Sequence, residues 1–182
     1  MSGVLYFFGI IDYTFEILTM QSLGAKIITF EEFQTLRDQL GTIVATSGFF
    51  DPIHPGHISC FIESKKLGDT LVVIVNGDSA ARLKKGKPFQ DLLTRCSIVS
   101  GIRSVDYVVP FEIEADISVV KALEWLRPHI FTKGGDRMAS NIPEVATCQK
   151  YGIKIVDNVG RDKEWSSSTF LKEWGEFIKQ KS

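Results

Sequence analysis

The sequence predicts an α/β fold: a Rossmann-like, doubly wound parallel sheet of about five strands with helices on both faces. Three observations predict it. Short apolar runs alternate with stretches of helical periodicity from residue 29 onward, which is the pattern of repeated βαβ units. The run Thr70 to Val75 (TLVVIV) is continuously apolar, as expected of a strand covered on both faces. The least ordinary residues of the chain follow the ends of such runs, and open α/β sheets bind ligands at the carboxyl ends of their strands.

Each element has a local reason. Thr29 and Glu32 form a capping box that opens a helix through Phe33, Leu36 and Leu40, and Gly41 stops it. Thr42 to Ser47 (TIVATS) is the first strand. His57 to Leu67 reads as a helix with Ile58, Phe61 and Ile62 on one face and Gly68 as its stop. Thr70 to Val75 is the second strand, Leu92 to Ile102 a helix, and Tyr107 to Val109 a short strand. Ile117 to Leu126 is helical until Pro128, and Ile130 to Lys133 is a strand. Asn141 to Tyr151 is a helix, Lys154 to Val159 the fifth strand, and Ser168 to Lys179 the final helix.

Bulk composition narrows the function. A chain of 182 residues, 44% hydrophobic, buries one good core and suits one domain, here residues 26–182. The net charge of −1 argues against a nucleic-acid partner, which calls for a basic surplus. Cys60, Cys96 and Cys148 are widely spaced without a C-x-x-C pair, so they read as buried apolar residues of a cytoplasmic protein. Residues 1–25 form an apolar N-terminal extension. Its greasy part, Met1 to Thr19, is interrupted by Asp12 and Glu16 and is too short to span a bilayer. It suits packing on the core or on a second copy of the chain in a homodimer, with Met20 an alternative natural start.

The chemistry concentrates in Gly48-Phe49-Phe50-Asp51-Pro52-Ile53-His54-Pro55-Gly56-His57, at a strand-to-helix turn. Two of the three histidines of the chain stand here. Gly48 and Gly56 let backbone approach a ligand closely, and the helix that follows aims its positive end at the turn, which favours phosphate. His54 and His57, protonated or neutral, reach the same oxygens as hydrogen-bond donors. No third or fourth ligand is near enough in sequence for a zinc site, so no protein metal ligands are assigned. Other strand ends deliver Asn76-Gly77-Asp78, Lys133-Gly134-Gly135-Asp136, and Arg161 to Thr169. His129, after Pro128, reads as structural.

These residues resemble the signature of the cytidylyltransferase-like nucleotidyltransferase superfamily. Lys66-Leu67-Gly68-Asp69-Thr70, Val75-Asn76-Gly77-Asp78, Arg82 to Phe89 with its loop Lys84-Lys85-Gly86-Lys87, Arg95, Val105 to Val109 and Lys133-Gly134-Gly135-Asp136 follow one subgroup in order. That subgroup is similar to the adenylyltransferase domain of bacterial enzymes acting on D-glycero-β-D-manno-heptose 1-phosphate, over about Lys26 to Lys179. The resemblance implies attack by a phosphorylated acceptor on the α-phosphorus of a nucleoside triphosphate, AMP transfer favoured, with pyrophosphate released.

By the same resemblance, His54, His57, Lys84 and Arg95 would be catalytic. Phe49, Phe50, Asp51, His54, Gly56, His57, Lys133, Gly135, Asp136, Ser167, Ser168 and Thr169 would bind the nucleotide, with Asp51 also positioning metal. Ser47, Asn76, Asp78, Lys85 and Lys87 would face the acceptor. Mg²⁺ would ride mainly on the nucleotide phosphates. The lysine loop would act as a mobile clamp. Trp165-Ser166 replaces the usual Gly before the hydroxyl cluster, and Thr94 stands where an acidic residue is common. FMN, glycerol phosphate and a phosphonate therefore stay open as acceptors, as do cytosine for the base and a non-catalytic nucleotide-binding scaffold for the whole chain.

Overall fold

Five apolar runs become five parallel strands in a computed structural model of the chain, which describes residues 26–114, 116–134, 143–161 and 166–181. Helix α1 (Phe30–Leu36) is capped as the sequence predicts: the Thr29 hydroxyl accepts from the Glu32 amide, and the Glu32 carboxylate accepts from the Thr29 amide. Strand β1 (Ile43–Gly48) leads to helix α2 (Pro55–Lys65), and β2 (Thr70–Asn76) to helices α3 (Asp78–Lys85) and α4 (Leu92–Ser100). Strand β3 (Tyr107–Phe111), helix α5 (Val120–Leu126), strand β4 (Ile130–Gly134), helix α6 (Val145–Tyr151), strand β5 (Lys154–Val159) and helix α7 (Ser167–Lys181) follow.

The strand order is β3-β2-β1-β4-β5, with every pairing parallel. Chain direction across the sheet therefore reverses between β1 and β4. This is the switch point, where the two adjacent strand ends feed loops to opposite faces and leave a crevice.

Alternate residues of the strands divide the core in two. Ile43, Ala45, Val72, Ile74 and Phe131 pack with Phe33, Leu123, Leu126 and Cys148, under α1, α5 and α6. Val44, Leu71, Val73 and Val75 pack with Phe61, Leu92, Cys96 and Val99, under α2 and α4. Both faces are covered, which is why β2 is buried along its whole length.

Four differences from the sequence reading have physical causes. Helix α3 stands where the sequence predicts no element over residues 78–83 and a loop from Lys84, because its last turn is Leu83-Lys84-Lys85 and only Ala80 and Ala81 are buried. Strand β3 runs on through Pro110 to Phe111; β2 pairs with it on one side, and a proline is tolerated near a sheet edge. Ile27 adds an isolated parallel bridge to Val108 on the other side of β3. Helix α5 begins at Val120, three residues later than expected, because Ser118 folds back onto Asp116. The predicted residues 141 and 142 of the sixth helix, and the extension 1–25, lie outside the described residues.

The three cysteines are buried free thiols, as composition suggested, and burial raises the pKa of each. His129 is structural: its Nδ1 accepts from the Ile43 amide at 2.8 Å and ties the start of β1 to the start of β4.

Candidate active site

The turn after β1 is built around one aromatic ring. Phe50 adopts φ 52°, and its ring lies 2.9 Å from where a Cβ at residue 48 would stand. Any side chain at Gly48 would collide with it. The ring packs edge-on against His57 and Phe61, each with centroids 5.0 Å apart, and so anchors the turn to α2.

His54 is the N-cap of α2, with Pro55 at the first helical position, yet its side chain makes no capping hydrogen bond. Instead the rings of His54 and His57 stack, with centroids 3.6 Å apart and planes 18° apart. The Nδ1 atom of each is buried without a partner. Burial, then the neighbouring His54, then Lys85, push the His57 pKa down to about 3. Burial also lowers that of His54. Both imidazoles are therefore neutral at pH 7, each with one N–H donor and one acceptor nitrogen. Two stacked imidazolium rings at this distance would repel, so the geometry and the electrostatics agree.

The pair opens on a cavity of about 320 Å³ at the switch point. Of the residues singled out from the sequence, Ser47, Phe49, Phe50, His54, Gly56, His57, Asn76, Lys84, Lys85, Lys133, Ser167 and Ser168 bound it. Lys84 and Lys85 stand 5.2 and 5.3 Å from the Phe49 ring centroid, an arrangement that holds cations over an aromatic face. Burial lowers the Lys85 pKa, and its ammonium donates to the Asp51 carbonyl at 3.1 Å. Lys133 is 6% exposed; its Nζ donates to the Ser47 hydroxyl at 3.1 Å and lies 3.9 Å from Glu144 Oε1. The Ser167 hydroxyl donates to the Pro52 carbonyl at 2.8 Å, docking the start of α7 on the histidine turn.

Several residues singled out from the sequence stand outside the cavity. Asp51 is fully buried, and its two oxygens accept from the Phe89 and Gln90 amides at 2.8 and 2.9 Å. It fastens the segment after α3 and stands outside the cavity lining, where the sequence reading had put it beside nucleotide and metal. Arg95 is also fully buried. Its guanidinium donates to the carbonyls of Gln90, Phe49 and Asn76 and to Asp78 Oδ1 at 2.6 Å. It is a clamp between strand ends, outside the cavity lining, where the sequence reading expected a catalytic phosphate contact. Asp78 is consumed by that ion pair and does not line the cavity.

Lys87 and Thr169 are exposed and also stand outside the cavity lining. The expected lysine clamp is half helix: Lys84 and Lys85 close α3, and Gly86 caps it at φ +86°. Gly135 and Asp136 lie outside the described residues. The start of α3 is not an anion site either, because the Glu112 carboxylate accepts from the Asp78 and Ser79 amides. A Cβ at Gly77 would lie 2.5 Å from that carboxyl carbon.

Sequence reasoning missed Glu144, Cys60, Ile117 and Val119, all of which bound the cavity. Glu144 is 3% exposed. Its sole sequence signal is a carboxylate in the first turn of a predicted helix, which ordinarily means a favourable helix-end charge. Here the side chain turns away and accepts from the Val119 amide at 3.1 Å.

Known proteins share this fold. The sequence profile described as cytidylyltransferase-like matches residues 45–175. Among curated relatives, the bifunctional protein HldE of Nitrosococcus oceani is 36% identical over 116 residues, 63% of this chain and 24% of that one. The HldE protein of Streptomyces coelicolor is 34% identical over 123 residues, 66% of this chain and 26% of that one. This chain thus spans about a quarter of the length of these relatives. Among solved structures, the lipopolysaccharide core biosynthesis protein of Thermoplasma volcanium superposes with a TM-score of 0.57 at 34% identity, over 67% of this chain and 99% of that one. A pantoate-beta-alanine ligase of Francisella tularensis, 14% identical with a TM-score of 0.52 over 78% of this chain and 68% of that one, shares the fold. The chain belongs to the cytidylyltransferase-like family of nucleotidyltransferases.

Proposed function

We propose that the protein transfers AMP from ATP to a phosphorylated sugar of the heptose 1-phosphate kind, releasing pyrophosphate. The observation that carries this reading is the stacked, neutral pair His54 and His57 at the start of α2, opening on a cavity that also holds Lys84, Lys85 and Lys133. The 34–36% identity to HldE proteins supports the choice of acceptor class.

In the proposed reaction a phosphate oxygen of the sugar phosphate attacks the α-phosphorus in line. The new P–O bond forms as the bond to the β-phosphate bridging oxygen breaks, and the electron pair leaves with pyrophosphate. The chain's part is positioning and charge stabilisation, which suffice for phosphoryl chemistry. Neutral imidazole N–H groups donate to the α-phosphate oxygens and the bridging oxygen as charge develops there. The α2 N-terminus adds its positive end from the same side. Lys84 and Lys85 hold the leaving phosphates, which moves Lys85 from the acceptor side to the nucleotide; Lys133, hydrogen-bonded to the acceptor-side Ser47, moves from the nucleotide to the acceptor phosphate.

Mg²⁺ is proposed to be carried by the nucleotide. Among the described residues no cluster of three His, Cys, Asp or Glu side chains could hold a metal, and Asp51 is occupied by backbone amides. That donor set fits a cation bound by phosphates and water; its chemistry would be to neutralise triphosphate charge.

A pyrophosphate-release matrix tests the reading: four nucleoside triphosphates against sugar 1-phosphates, FMN, glycerol phosphate and a phosphonate. ATP with a sugar 1-phosphate should dominate. Silence with every sugar 1-phosphate overturns the sugar assignment, and a response with FMN or glycerol phosphate would replace it. Residues 1–19 are proposed to serve a homodimer; sizing a chain that starts at Met20 tests this, and an unchanged, soluble species would refute it.

A further inference from the structure

Asn76, the last residue of β2, and Glu144, the residue before α6, both bound the cavity and grip the same short segment. The Asn76 amide Nδ2 donates to the Ile117 carbonyl at 3.3 Å, and Glu144 Oε1 accepts from the Val119 amide at 3.1 Å. Ile117 and Val119 bound the cavity with them. Each side chain then has one polar atom left. Asn76 Oδ1 and Glu144 Oε2 are buried without a hydrogen-bond partner, on residues 4% and 3% exposed. A buried acceptor left unpaired is destabilising, and native proteins rarely keep two on one cavity without use.

Both are acceptor atoms, one an amide oxygen and the other an oxygen of the carboxylate that faces the Lys133 ammonium. Their missing partners are therefore donors. A cation is disfavoured, because the Lys133 ammonium already stands 3.9 Å from the same carboxylate. A phosphate is excluded by charge. What fits is a pair of hydroxyl groups close to a phosphate held by Lys133 and beside Ser47.

Resting on the nucleotidyl-transfer reading above, we propose that Asn76 Oδ1 and Glu144 Oε2 form the hydroxyl-recognition subsite for the acceptor, which is a polyhydroxylated sugar phosphate. Glu144 is then a specificity-determining residue. A hydroxyl placed against an acceptor in such a site is discriminated strongly from hydrogen, because its loss leaves the buried atoms unpaired again.

The experiment uses the full chain with ATP and D-glycero-β-D-manno-heptose 1-phosphate, its monodeoxy analogues and FMN, read by pyrophosphate release. With the wild-type protein, at least one monodeoxy analogue should lose tenfold or more in kcat/KM. Glu144→Gln turns the unpaired acceptor into a donor. It should raise the sugar phosphate KM at least tenfold, leave the ATP KM within twofold, and abolish the penalty for the deoxy analogue. Equal use of every monodeoxy analogue by the wild type overturns the proposal, whatever the variant does to folding. So does an unchanged sugar phosphate KM in a folded Glu144→Gln protein. Turnover with FMN and none with the sugar phosphate sinks the subsite and leaves nucleotidyl transfer standing. No pyrophosphate with any acceptor sinks both.

Discussion

Two charged regions meet at the end of β1, and they behave oppositely. Beneath the histidine turn lies a saturated frame: Arg95, Asp51, Asp78 and Glu112, buried or nearly so, with their charges spent on backbone and on each other. Above it lies the cavity wall, where the imidazoles are neutral and several polar atoms have no partner. The comparison teaches that a charged residue in a binding motif need not face the ligand. A charge buried this deeply is tolerated when its hydrogen bonds are complete. A ligand site keeps some of them open.

The sharpest way to break this contrast is to cut the frame. Arg95→Met should cost about 3 kcal/mol or more, because it strips partners from the Phe49, Asn76 and Gln90 carbonyls and from Asp78. The Tm should fall by roughly 10 °C, whereas a phosphate-contact role for Arg95 would leave the Tm nearly unchanged. His57→Ala tests the other region. It should lower the rate of pyrophosphate release by about 10²–10³-fold while circular dichroism stays native; normal turnover would remove His57 from the reaction.

Acid should separate the regions next. The unfolded chain protonates His57 near its ordinary pKa of 6.5, and the folded chain only near 3. The unfolded state therefore binds more protons between those values, so stability falls as pH drops through that window. His57→Gln should flatten the slope of urea-denaturation stability between pH 6 and 4; an unchanged slope would mean that His57 is not held neutral.

The smallest effects distinguish neighbours on one tract. Lys84→Ala should raise the ATP KM on the order of tenfold, as loss of a charged contact to phosphate does. Lys87→Ala, two residues beyond the helix end and outside the cavity, should change it by less than about twofold. Equal effects would show that the tract acts only through its total charge.

Much of this was legible in advance. The strands could be read because burial on both faces writes uninterrupted apolar runs, and the Thr29–Glu32 capping box because it is a contact between near neighbours. The histidine turn was legible for the same reason: its glycines, prolines and imidazoles sit within ten residues. Helix α3 was not, since a short helix with two buried alanines has little apolar signal. Glu144 was hidden because its partner, Val119, lies 25 residues away.

The sequence by itself determined the sheet class, the place of the histidine turn and the family, all of which rest on local pattern. Tertiary structure alone decided which polar groups are spent and which are open. Asp51 and Glu144 are both carboxylates beside the same crevice. Folding brings two amides to the first and one to the second. Hydrogen-bond saturation depends on groups far apart in the chain, and only their meeting in space fixes it.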